Sequence, residues 1–469
     1  MNYPFWDVPH LGSGWVIGII AIFHVMISHF AVGGGLYLPL AESKALREGR
    51  KDWLLILQKH SKFFLVLTGV FGAVSGVGIW FAIGLANPEA SSALIHNFVF
   101  AWAIEWVFFM VELTTSAVYY YTWNRVPSGL HLKIGYLYAI VAVFTLVIIN
   151  GILTFMLTPG GPWLEVAGTG RESSRFWQAF FNPTYWPSLF LRALACVSLA
   201  GVWALFNCSR IDITKNAQLK SDLVRWSAKW LIPSFLLLPF FMAWYLWQVP
   251  EGQRALLQLG VSTIGAGVFT QLTRTVLILV MTSTTIVGVV YFIIWRKPSD
   301  FGRGHALAVL FLALMATGSA EYAREMLRKP YVIGQHMFSN GTRKSDVAKI
   351  NEEGYLKHTL WVPREGAPTN SLARGEAMFR GQCLACHTRD AYRPMKRLLA
   401  GRNREAIGSL LNILHDYKPD SPYRAFMPPL VGTPEEINDL GNYLSTLSSS
   451  TQVTDATKKP ADSTLANKE

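Results

Sequence analysis

Apolar residues in this chain of 469 gather into long runs separated by short polar stretches, and the length of the runs decides the fold class. A helix that crosses the roughly 30 Å hydrocarbon core of a bilayer needs about 20 predominantly apolar residues. Eight runs approach or exceed that length, at residues 15–40, 63–85, 98–121, 134–157, 187–206, 230–247, 269–295 and 306–322. Each predicts a membrane-spanning α-helix, because hydrocarbon offers backbone groups no partner outside their own segment. Residues 1–10 lack a basic start and the first run is too long for a cleavable leader, so that run reads as an anchor. Beyond residue 334 the pattern changes. Residues 335–368 are mixed and polar and predict a linker, residues 369–447 alternate short amphipathic helices with Pro-bounded loops, and residues 448–469, rich in Ser, Thr, Lys and Ala, predict a disordered tail. The expected fold is all-α: a polytopic transmembrane helix bundle over 1–334 and a small all-α domain over 369–447.

Composition agrees. With 51% hydrophobic and only 15% charged residues, the chain is too apolar for a soluble protein of this length. The net charge of +12 invites a nucleic-acid partner, but the positions of the charges exclude one. Lys44, Arg47, Arg50, Lys51, Lys59 and Lys62 crowd the first loop, Arg210, Lys215, Lys220, Arg225 and Lys229 the fifth, and Arg296, Lys297 and Arg303 the seventh. The intervening loops are nearly bare of Lys and Arg, which is the positive-inside alternation of a protein whose partner is membrane lipid. An even number of spans then puts both termini on the outer, periplasmic side of a bacterial cytoplasmic membrane. Cys196 and Cys208, in or near the fifth span, read as small packing residues.

Candidate chemistry begins in the C-terminal domain. Cys383-Leu384-Ala385-Cys386-His387 is a C-x-x-C-H signature, which reads as one covalently attached haem c with His387 as proximal iron ligand. A zinc site is disfavoured, since no second Cys pair completes four ligands. Met427, on the stiff stretch Phe426-Met427-Pro428-Pro429-Leu430, is the candidate distal ligand, with Met395 as its rival. Thr433-Pro434-Glu435-Glu436-Ile437 opens a helix with a capping pattern. From residue 369 to 447 the chain resembles a class I monohaem cytochrome c. Attachment of a haem c on the outer face agrees with the topology read from the charges.

Ionisable residues inside spans are costly and are functional candidates by default. Here they are His24 and His29 in the first span, Glu105 and Glu112 in the third, Arg274 in the seventh, and Glu321, Arg324 and Glu325 at the end of the eighth. On the expected topology His24, Glu105 and Glu325 share the outer half of the bilayer, and imidazole and carboxylate at similar depth suit axial ligation of b-type haems. The alternative for a lone His is a hydrogen-bonded core residue, and for a lone Glu a paired or snorkelling one. Glu105 and Glu112 are seven apart and stand on one helix face, which suits a proton file; a Glu112 paired with a loop basic residue is the alternative. The small-residue run Gly69-Val70-Phe71-Gly72-Ala73-Val74-Ser75-Gly76-Val77-Gly78 allows close helix packing or the approach of a flat macrocycle. His29, His60 and His96 are polar core or helix-end residues, or further haem ligands.

Over residues 15–334 the chain also resembles subunit I of the cytochrome bd quinol oxidases. The likeness rests on Phe23-His24, the Gly-rich second span, Ala103-Ile104-Glu105, Thr122-Trp123-Asn124-Arg125, Asn150-Gly151 and, most specifically, Glu325-Met326-Leu327-Arg328-Lys329-Pro330-Tyr331. The resemblance implies two high-spin haems, of b type or related, served by His24, Glu105 and Glu325. It also brings out departures. That family ligates a low-spin haem with a His in the fifth span and a Met in the seventh, whereas here Phe190-Leu191-Arg192-Ala193 and Thr273-Arg274-Thr275-Val276 carry neither. The family's long quinol loop has shrunk to residues 248–260. Arg192 and Arg274 are then candidates to bind haem propionates or to line a site for a partner protein, and Arg324 and Arg328 are candidates for cofactor binding.

The leading functional expectation is a membrane cytochrome that passes electrons between outer-face c-type carriers and a high-spin haem pair, reducing oxygen or another small gas with protons brought by Glu112 and Glu105. The competing expectation is a non-catalytic relay subunit of a larger respiratory complex, with other membrane subunits as partners. A structural remnant with only haem c is the third.

Overall fold

The computed structural model describes residue 6 and residues 8–264, 270–359 and 368–456. They form two compact units: Gly18–Ala82 with Ala90–His336, and Met1–Ile17 with Ile83–Glu89 and Met337–Glu469. The fold is all-α; two short strands, Tyr331–Ile333 and Met337–Phe338, are the only ones among the described residues.

Eight helices are long and apolar enough to span a membrane: Ser13–Arg47, Lys51–Ala86, Pro88–Tyr121, Ser128–Phe155, Tyr185–Cys208, Ile213–Gln248, Gln271–Trp295 and Arg303–Arg328. They coincide with the eight apolar runs and extend several of them by a turn or more into the polar flanks. The second span is not uniform. Lys51–Val66 and Ala73–Ala86 are α-helical, and Leu67–Gly72 between them is a π-helical turn, a local widening that recurs at functional sites. The third span bends at Phe98, whose φ of −125° and ψ of 25° leave the helical region. The core between the helices is rich in large side chains, with Tyr37, Trp53, Phe64, Tyr119, Tyr138 and Phe301 fully buried. Cys196 and Cys208 are buried within it, as expected of packing residues. The residues that follow the sixth span, read from sequence as a shortened loop, form a further helix, Glu251–Ile264.

In the other unit, helices Ser371–Gln382, Arg404–Asp416 and Pro434–Ala456 surround an apolar core of Met378, Phe379, Leu411, Leu440 and Leu444. Side-chain caps start the first two: Asn370 Oδ1 accepts from Ala373 N–H at 2.8 Å and Asn403 Oδ1 from Ala406 N–H at 2.9 Å. The third opens with the predicted capping box, Thr433 N–H to Glu436 Oε2 at 3.0 Å and Glu436 N–H to Thr433 Oγ1 at 3.3 Å. Ser371–Gln382 crosses Pro434–Ala456 at Gly375, where an added Cβ would stand 2.1 Å from the Asp439 carbonyl oxygen. The crossing is held by Arg374, paired with Glu435 and, at 2.6 Å, with Asp439, and by the Phe379 and Tyr443 rings with centroids 5.7 Å apart.

Three domain boundaries differ from expectation. Of the expected linker 335–368, residues from Met337 to His358 belong to this unit; they include helices Val347–Glu353 and Tyr355–His358, and Glu436 accepts the backbone N–H groups of Tyr355 and Leu356 at 2.7 and 2.9 Å. Residues 360–367 lie outside the described residues. The last helix continues to Ala456, beyond the expected end at 447, because no Pro or Gly falls between 448 and 456; residues 457–469 of the expected tail lie outside the described residues. The N-terminal residues to Ile17, expected with the membrane domain, group with this unit: Gly14 N–H bonds to Ala385 O at 3.4 Å, Tyr392 N–H to His10 O at 3.2 Å, and the Trp15 and Tyr392 rings meet edge-on at 5.4 Å.

The crossing generates a test. Gly375→Val places a branched side chain against the Asp439 backbone and is expected to destabilise this unit by about 1–3 kcal/mol, the cost of overpacking, read as a lowered midpoint for proteolytic release of the C-terminal residues on heating.

Candidate functional site

In the membrane unit the first and second spans meet at His24. Its Nδ1 lies 2.9 Å from Ser75 Oγ, and the single Ser75 O–H is directed to the Phe71 carbonyl at the end of the π-helical turn. Ser75 therefore accepts from His24 Nδ1–H, and the lone pair stands on Nε2, the tautomer of a metal-ligating imidazole. Gly76 lies beside the ring: a Cβ there would be 3.4 Å from His24 Cε1. The small-residue run thus does more than pack helices, since Ser75 within it orients the histidine. Nothing in a run of Gly, Ala and Val announces that role to a sequence reader.

One turn further along the first span, His29 is buried with Nδ1–H bonded to Val25 O. His60 is buried with neither ring nitrogen hydrogen-bonded, and His96 is exposed near the start of the third span. Glu112 is 3% exposed and faces Thr145 of the fourth span, while Glu105 is half-buried two turns away. Neither makes an ion pair among the described residues, so the alternative of a Glu112 paired with a loop cation is not what the fold contains.

The eighth span carries the charges. Glu321 accepts from Arg192 of the fifth span at 3.2 Å and from Arg324 one turn on at 2.9 Å. Glu325 pairs with Arg328 and, at 3.7 Å, with Lys329. Arg192 is 7% exposed, and taking such a charge out of water is tolerable only with a partner. Arg192 Nε, Arg324 Nη1 and Arg328 Nε remain buried without a hydrogen bond among the described residues, which leaves three donors for an anionic group such as a propionate. Arg274 is exposed at the start of the seventh span. His24, Glu105 and Glu325 do not meet: among the described residues no three His, Cys, Asp or Glu side chains converge to hold a bare metal ion. A porphyrin supplies four of the iron ligands itself, so separate single ligands fit haem and not a free ion.

In the C-terminal unit the Cys383 and Cys386 thiols are unpaired at the end of helix Ser371–Gln382, and the turn His387 N–H to Cys383 O at 2.8 Å brings the histidine beside them. Burial pushes the Cys383 thiol up to about 12 and holds the His387 imidazole below its ordinary range, hence neutral. Gln382 joins this turn to the residues after Met427, donating to Val431 O at 2.8 Å and accepting from Val431 N–H at 2.9 Å. Tyr417 Oη donates to the Met427 carbonyl at 3.0 Å. Met395 is buried in the apolar core. Gln382 and Tyr417 were not foreseen, since neither belongs to a motif.

Residues 13–245 match the family of cytochrome bd terminal oxidase subunit I. That segment is just under half of the chain. The chain also resembles the solved structure of bd oxidase from Geobacillus thermodenitrificans, with a TM-score of 0.50 and 15% identity, covering 80% of this chain and 95% of that one. At that identity the likeness speaks for the fold, and it extends beyond the family-matched segment. No curated protein matches the chain. Together with the eight helices long and apolar enough to cross a membrane, the family match indicates a multi-pass membrane protein. Both His24 and Glu105 lie within the family-matched segment, and Glu325 lies beyond it.

The buried pair across the fifth and eighth spans generates a test. Glu321→Leu strands the Arg192 and Arg324 guanidinium groups together and is expected to cost about 3–5 kcal/mol, whereas the triple change of Arg192, Glu321 and Arg324 to Leu removes the whole network and should cost far less. Thermal unfolding of the two variants in detergent checks the difference.

Proposed function

We propose that this protein is a cytochrome c-linked, bd-like terminal reductase that takes electrons from an outer-face carrier and delivers them, with protons, to oxygen or another small gas, without a quinol site. The observation that carries the reading is the pairing of Arg192 with Glu321. By the family resemblance a low-spin haem ligand belongs where Arg192 stands, and a guanidinium cannot ligate iron. With that ligand replaced and the quinol loop reduced to helix Glu251–Ile264, electrons need another entrance, and the C-x-x-C-H unit offers one.

Bound haems would supply electron storage and an open iron coordination position for the gas. The chain supplies the rest. Cys383 and Cys386 hold one haem covalently, His387 and Met427 ligate it, and burial of Met395 in the core supports Met427 as the thioether ligand. His24, with its lone pair on Nε2, Glu105 and Glu325 serve two high-spin haems, and Arg324, Arg328, Arg192 and Arg274 offer N–H groups to propionates. Glu112 and Glu105, buried or half-buried without cations, hold and pass protons. Positive-inside charge puts the C-terminal unit on the periplasmic side, where a soluble c-type cytochrome or similar carrier can reach it.

A second reading, a non-catalytic electron relay in a larger complex, draws on His60, which is buried with both ring nitrogens unbonded, as a further haem ligand. Difference spectra with carbon monoxide separate the two: a ligand-binding high-spin haem is expected here, and low-spin bands alone would favour the relay.

Two outcomes follow for the haem c. Replacing Cys383 and Cys386 by Ala should abolish covalent haem staining of the denatured chain, while Met427→Ala keeps the stain and lowers the midpoint potential in a redox titration. His387→Ala should block exchange with reduced cytochrome c yet leave the membrane haem spectrum intact; rapid reduction of those haems by a quinol in this variant would refute the proposed entrance.

A further inference from the structure

At the end of the membrane bundle where the first span finishes, three helices share a buried polar cluster that no motif announced. Glu42 of the first span, Tyr119 of the third and His131 of the fourth are all under 5% exposed. His131 Nε2 lies 2.9 Å from the Tyr119 carbonyl, an acceptor only, so Nε2 carries a hydrogen. His131 Nδ1 lies 2.7 Å from Glu42 Oε1, and Tyr119 Oη donates to Glu42 Oε2 at 2.7 Å. With Nε2–H committed, the bond between Nδ1 and Oε1 requires one more proton, carried either by the imidazole or by the carboxyl. Without it, two lone pairs face each other. The pair therefore holds one mobile proton in a place closed to bulk water.

The cluster also has an onward path. Glu105, Glu112, Ser116 and Tyr119 fall within a stripe of about 60° on the third span, and Tyr119 stands about 10 Å along the axis from Glu112. Between them lie the hydroxyls of Ser116 and, from the second span's π-helical turn, Thr68, both buried and making no well-formed hydrogen bond. The fully buried Tyr138 hydroxyl faces both and lies near Glu112. Unbonded hydroxyls are expensive in an apolar core, and two of them beside a Tyr138 hydroxyl that makes only a long bond to Ala31 O at 3.4 Å are more than a helix staple requires.

We propose that the buried Glu42–His131–Tyr119 cluster is the proton-loading site of the bundle, from which Glu112 is supplied; this rests on the proton-coupled reading above. When the Glu42 carboxyl carries the shared proton, the Tyr119 hydroxyl turns away from it, accepts that proton on its oxygen and releases its own toward Ser116 and Tyr138; tyrosine stays neutral, and the Glu42–His131 pair carries one negative charge until it takes up a new proton. The groups facing the pair are Tyr119 and Trp123 from the third span, with His131 itself from the fourth.

The test uses the full chain in membranes. Glu42→Gln keeps the size and both contacts but cannot hold the shared proton. It is expected to slow electron transfer to oxygen by roughly tenfold to hundredfold with an unchanged haem spectrum, and to remove a deuterium-sensitive carboxyl band from the redox infrared difference spectrum. Tyr119→Phe should keep that band and slow turnover similarly, and it decides the matter if Glu42→Gln does not assemble. Wild-type turnover in either variant while Glu112→Gln is slow would overturn the proposal and leave the reductase reading standing, with the cluster a structural staple. Wild-type turnover in Glu112→Gln as well would overturn the proton-coupled reading and the proposal with it.

Discussion

Hydrocarbon forms no hydrogen bonds, and most of this structure follows from that. Backbone groups are satisfied within each helix, which is why the membrane part is all-α and why its spans run past the apolar runs into polar flanks. Side chains face the same rule less strictly, because neighbouring helices can supply partners. Several polar residues then tie one helix to another: His24 to Ser75, Arg192 to Glu321, Glu42 to Tyr119 and His131. Exceptions such as the His60 ring and the Ser116 and Thr68 hydroxyls stand out because the rule is otherwise obeyed.

The arginine–glutamate pair shows how such a rule redirects function. A histidine in a span can ligate iron; an arginine in its place brings a permanent charge that must be neutralised nearby. Glu321 does this, and Arg324 on the next turn shares the carboxylate. Such an ion-pair network is held together without a ligated metal, and under the proposed function electron entry lies elsewhere.

The C-terminal unit is built on a smaller core, and none of its helices from Ser371 onward is long and apolar enough to cross a membrane among the described residues. Its stability depends on close helix crossing at Gly375, on caps at Asn370, Asn403 and Thr433, and on one glutamate, Glu436, that serves both its own helix start and the docked segment Val347–His358. Gln382 and Tyr417 couple the C-x-x-C-H turn to the Met427 stretch, so the two candidate iron ligands are held by one hydrogen-bonded frame.

Local sequence was sufficient wherever the determining physics is local. Run length set the eight spans, the capping box set the start of the last helix, and the C-x-x-C-H stretch closes one tight backbone turn from Cys383 to His387. Glu105 and Glu112 fell on one face by helical periodicity alone. What the sequence left open was every partnership between elements distant in the chain, because pairing energy depends on which helices pack and at what height. Ser75 as the orienting partner of His24, Glu321 as the counter-ion of Arg192 across more than a hundred residues, and the Glu42–His131 bond are of that kind. So is the recruitment of Val347–His358, whose polar composition reads as linker until the Glu436 carboxylate gives its backbone N–H groups an acceptor.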